Sequence, residues 1–116
     1  MHEIRNPATL EPLGSVPDCG PEDVSAAVAA AHTAQAPWQD LPAADRARLL
    51  GGIATRIGAH DRELALLLTR ESGKPWCESL DCVDAAAAVF ASCAAAAPPI
   101  ARAGGVVAAL LPFNYP

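Results

Sequence analysis

Aromatic residues are scarce in this 116-residue chain: two Trp, two Phe and one Tyr make up 4% of it. Apolar residues reach 52%, yet much of that share is alanine, which buries little area per residue. Such a composition favours helix and predicts a core short of bulk. Basic residues are also few. Eight Lys and Arg stand against thirteen Asp and Glu, a formal charge of −5 with no basic run or stripe. That excludes the electrostatic footprint of a nucleic-acid binder and any strong draw toward anionic lipid. The first residues, MHEIRNP, contain no apolar signal core. The most apolar region, Val83 to Leu111, is interrupted by Asp84, Pro98, Pro99 and Arg102, so no membrane span is expected. These features predict a soluble, cytoplasmic protein.

Cysteine is present four times, at Cys19, Cys77, Cys82 and Cys93. The spacing matches no zinc pattern, and neither Cys77 nor Cys82 has a histidine near it in sequence. On a helix, the step from Cys77 to Cys82 points the two sulfurs well apart, which disfavours a bridge. Free, mostly buried thiols and no metal site are therefore expected. Cys77, in the first turn after Pro75, has the only mild case for a reactive thiol.

What the chain does have is concentrated in its last stretch, Gly105 to Pro116, GVVAALLPFNYP. Val106 to Leu111 is a short unbroken apolar run with β-branched residues at its start, the pattern of a strand buried on both faces. Pro112 stops it, which favours strand over helix. Two prolines then restrict the backbone around Asn114. At the carboxyl end of a buried strand in an α/β sheet, ligands bind. An amide held there can donate a hydrogen bond to an oxygen that gains negative charge. The plainer alternative is a buried strand running into a proline turn with no chemistry.

Before that stretch the pattern is helical. Residues 4–17 carry turn signals at Asn6-Pro7 and Glu11-Pro12, with a short strand expected from Leu13 to Val16. Pro21 with Glu22 and Asp23 opens a first helix. Val24, Ala27, Val28 and Ala31 form its apolar stripe, and an end is expected before Pro37. His32 lies off that stripe and reads as solvated. A second helix begins at Pro42 to Asp45, with Leu49, Leu50, Ile53 and Ile57 expected inward. Gly51-Gly52 weakens it by up to ~2 kcal/mol relative to alanines. A third helix from Asp61 is expected to turn Leu64, Leu67 and Leu68 inward and to stop at Gly73 in a left-handed cap. Lys74 lacks the glycine pattern of a P-loop and reads as a solvated residue beside that cap. Pro75 restarts a fourth helix whose stripe is Trp76, Leu80, Val83, Ala87 and Phe90. Glu78 and Asp81 read as a solvated face of that helix.

Four pieces in order resemble the aldehyde dehydrogenase superfamily. They are Asn6-Pro7-Ala8-Thr9, the Glu22-Asp23-Val24 helix, Glu71-Ser72-Gly73-Lys74-Pro75, and the Pro112-Phe113-Asn114-Tyr115-Pro116 turn. Phe113 and Tyr115 stand where the family more often has tryptophan and phenylalanine, and Leu10 stands where it has glycine. The connection from Ile100 to Gly104 is shorter than the family's, which bears on subunit assembly. The resemblance implies an α/β fold of which this chain is mostly helix, with a short N-terminal β segment and one buried C-terminal strand. Residues 1–116 would be the N-terminal part of the cofactor-binding domain, with the catalytic domain absent. It further implies Asn114 as an oxyanion-hole donor, and Leu111, Pro112 and Phe113 along the nicotinamide side of an NAD or NADP cleft.

In that family a cysteine thiolate attacks the aldehyde, hydride passes to NAD or NADP, and water releases the carboxylic acid. The family's nucleophilic cysteine, general-base glutamate and cofactor-binding lysine all follow the turn at 112–116. On that resemblance the chain is expected to be inactive alone. The complete enzyme would take an aldehyde substrate and form a homo-oligomer, with no nucleic-acid or membrane partner. The alternative is a non-catalytic helical remnant that acts as a protein-interaction module.

Overall fold

The computed structural model describes residues 1–96 and 105–111. Two strands, β1 (His2–Arg5) and β2 (Pro12–Val16), precede four helices. These are α1 (Pro21–Asp40), α2 (Ala43–Ala59), α3 (Asp61–Ser72) and α4 (Trp76–Ala96).

Strand β1 is absent from the sequence expectation and pairs antiparallel with β2, His2 opposite Val16 and Arg5 opposite Pro12. The register shifts between Ile4 and Arg5, leaving Leu13 as the extra residue of a bulge. The connecting loop is held by its own polar groups. Asn6 Oδ1 accepts from the amides of Ala8 (2.9 Å) and Thr9 (3.3 Å), an Asx turn. The Asn6 carbonyl accepts from the Leu10 amide at 2.8 Å, and the Arg5 guanidinium donates to the Leu10 carbonyl at 2.9 Å. Leu10 itself sits at φ 63°, a left-handed conformation that suits glycine.

Helix α4 is the centre of the helical layer: α2 packs along it and α3 leans on it. Its expected stripe holds in part. Val83 is buried, Leu80, Ala87 and Phe90 are half-buried, and Trp76 is exposed. The core of the described residues is small: Ala65, Ser79 and Val83. Gly51 is on the side of α2 that faces α4, where an added Cβ would lie 3.9 Å from the Ala94 Cβ, an ordinary contact. Leu50 and Ile57 of α2 are half-buried, while Leu49 and Ile53 are exposed, against expectation.

Helix α3 is rotated from the expected face. Leu68 is half-buried, but Leu64 and Leu67 are exposed and Ala65 is fully buried instead. The small Ala65 lets the α3 backbone approach α4. The Thr69 hydroxyl donates to Ser79 Oγ at 2.8 Å, which fixes the rotation by satisfying a buried polar pair.

Helix α1 continues through Pro37 to Asp40 rather than stopping before it. A proline this near the helix end forfeits one backbone hydrogen bond, and its fixed φ is itself helical. At the N-terminus the Asp23 carboxylate accepts from the Gly20 amide at 2.8 Å. At the other end Arg46 of α2 donates to the carbonyls of Gln39 and Leu41, a cation at a helix C-terminus. The expected inward stripe of α1 points out: Val24 and Val28 are exposed, and its half-buried residues are Gln35 and Gln39.

By length and composition α4 could cross a bilayer, with mean hydropathy 1.4 over its most apolar window. Half of its apolar residues are alanine, and its Ser79 and Val83 are buried among the helices. It is the helix on which α2 and α3 pack, with 11% of that window buried. The radius of gyration is 17.1 Å, against ~13 Å for a compact domain of this length. These helices do not close into a globule.

Candidate functional site

Of the stretch expected to carry the site, 105–116, the described residues 105–111 form no strand. Leu110 and Leu111 are 99% and 72% exposed, so the expected buried strand is corrected to an uncovered segment outside any sheet. The physical reason is pairing. Among the described residues no strand lies beside it, and a lone strand has no ladder to satisfy its backbone. Its start is held by α1: Gln35 Nε2 donates to the Gly105 carbonyl at 2.8 Å. Gly105, at φ 140°, and Val106 lie over a shallow hollow with Ala31, Ala34 and Trp38. Leu111 is thus the one predicted site residue whose placement is seen. Pro112, Phe113 and Asn114 lie outside the described residues.

The second motif, Glu71 to Pro75, forms the joint between α3 and α4. Gly73 ends α3 at φ 75°, its amide donating to the Thr69 carbonyl at 2.9 Å. A Cβ on Gly73 would come within 3.0 Å of Pro7 Cγ. The first motif therefore packs on the second, a juxtaposition that their distance in sequence hides. The Ser72 hydroxyl donates to the Leu68 carbonyl at 2.7 Å and accepts from the Lys74 amide at 3.3 Å.

Lys74 is half-buried rather than solvated, and its ammonium donates to Cys82 Sγ at 3.6 Å. The turn at Gly73 folds Lys74 back over α4, so a loop residue meets the second turn of the next helix. All four thiols are free, as expected, but Cys19, Cys77 and Cys93 are exposed and only Cys82 is half-buried. The thiol with a cation beside it is Cys82, not Cys77. Among the described residues no three His, Cys, Asp or Glu side chains gather as a metal cluster. His32 lies on the exposed side of α1, and His60 Nδ1 meets Glu63 Oε2 at 3.1 Å.

The described residues thus form a scaffold whose ordered joints are the motif segments. Residues 1–116 match the aldehyde dehydrogenase family along their whole length. This chain belongs to that family. It is similar to a probable aldehyde dehydrogenase of a Pseudomonas species, 36% identical over 128 residues, covering 97% of this chain and 26% of that protein. The matched stretch is longer than the chain, so the relative carries residues there that this chain lacks.

Among solved aldehyde dehydrogenase-fold structures, it resembles a glyceraldehyde-3-phosphate dehydrogenase of Methanocaldococcus jannaschii complexed with NADP. That match has 26% identity and a TM-score of 0.77, over 81% of this chain and 21% of that one. An NADP-dependent enzyme of E. coli matches at 35% identity and a TM-score of 0.79, over 81% of this chain and 20% of that one. The helices and hairpin therefore have the aldehyde dehydrogenase fold. The chain spans about a quarter of the length of the curated relatives it matches.

Proposed function

We propose that residues 1–116 form the N-terminal part of the cofactor-binding domain of an NAD(P)-dependent aldehyde dehydrogenase that oxidises an aldehyde to a carboxylic acid. The observation that carries this reading is the family match along the whole chain, with all four motifs in order. In the complete enzyme a cysteine thiolate from outside these residues attacks the aldehyde carbonyl. The Asn114 amide donates a hydrogen bond to the oxygen of the resulting thiohemiacetal, which is charged as it forms. The nicotinamide cofactor, when bound, accepts the hydride, and water then cleaves the thioester.

Leu111, apolar and 72% exposed, is free to pack against the flat face of a ring, which fits the nicotinamide side. Pro112 and Phe113 would extend that wall. The cofactor is NAD or NADP; the NADP-complexed neighbour supports this class. The complete enzyme is cytoplasmic and homo-oligomeric on this reading, and residues 1–116 alone do not turn over.

A second reading, a non-catalytic helical remnant that binds another protein, is supported by the helix-weakening pair Gly51-Gly52 in α2. Val28, Val107 and Leu110, 48%, 90% and 99% exposed, fit cover by the rest of an enzyme as well as by a separate partner. The intact mass of the gene product from its own cells separates the two. A mass several times 11.9 kDa, with aldehyde-dependent reduction of NAD or NADP, is the expected result. A mass near 11.9 kDa without that activity would leave the interaction module standing.

A further inference from the structure

We draw no further inference here: the strongest candidate, the exposed apolar groove along α1 lined by Val24, Val28 and His32, carries nothing because nothing in the structure shows what covers it.

Discussion

Gly73 and Leu10 both occupy left-handed backbone, with opposite consequences. Gly73, at φ 75°, caps α3 and takes Pro7 against its open side. Gly73→Ala puts a Cβ into a conformation that costs an L-residue ~1–2 kcal/mol and presses it against the Pro7 ring. A loss of about that size in urea unfolding is expected; an unchanged midpoint would mean that the cap relaxes freely. Leu10, at φ 63°, already bears such a cost. Leu10→Gly relieves it but adds freedom to the unfolded chain, worth ~0.5–1 kcal/mol. The expected net gain is therefore small, up to ~1 kcal/mol, read as a raised thermal midpoint. The Gly73 cap was legible from its place after a helical pattern. Leucine itself signals no positive φ at position 10; the one hint was that the family has glycine there, and the Asn6 turn imposes the conformation.

At the scale of elements, all four helices were legible because apolar spacing and the proline and glycine signals agree on them. Their rotations were less so. In α3 the leucines were expected inward, yet Ala65 is the buried residue. Close approach of two backbones rewards a small side chain, and the Thr69–Ser79 hydrogen bond locks that choice. Periodicity reports which residues share a face; it cannot say that a neighbour will select the smaller one. Strand β1 escaped notice for a related reason, since His2 to Arg5 gains strand character only by pairing with β2.

Helix α2 offers a direct test. Gly51 and Gly52 both cost helix propensity, but they face different surroundings. A Cβ at Gly52 meets nothing within 4 Å, so Gly52→Ala is expected to stabilise by ~1 kcal/mol. A Cβ at Gly51 meets Ala94 at 3.9 Å, ordinary contact, so Gly51→Ala also fits and adds a packing contact to the propensity gain. Chemical denaturation of the two variants checks this. Destabilisation by Gly51→Ala would show that α2 and α4 pack more tightly than this geometry.

For the molecule as a whole, a radius of gyration of 17.1 Å and three small buried residues among the described ones mark a layer that needs further polypeptide to cover it. Purified residues 1–116 should therefore bind a hydrophobic dye and self-associate; a monodisperse chain that binds no dye would contradict this. In the complete enzyme, Asn114→Ala is expected to lower kcat by ~10²–10³, the cost of one lost oxyanion donor, with the fold intact by circular dichroism. Unchanged kcat would remove Asn114 from the proposed site.

The family, the four helices, the cap at Gly73 and the run of residues that leads to Asn114 can all be read along the chain. Those depend on local signals: apolar spacing, the backbone limits of proline and glycine, and short motifs in order. Packing in three dimensions set which helix face is buried, that Pro7 meets Gly73, and that Lys74 lies beside Cys82. It also decided that residues 105–111 form no strand here. Each of these depends on a partner distant in sequence, and a strand in particular exists only where a neighbour takes up its backbone hydrogen bonds.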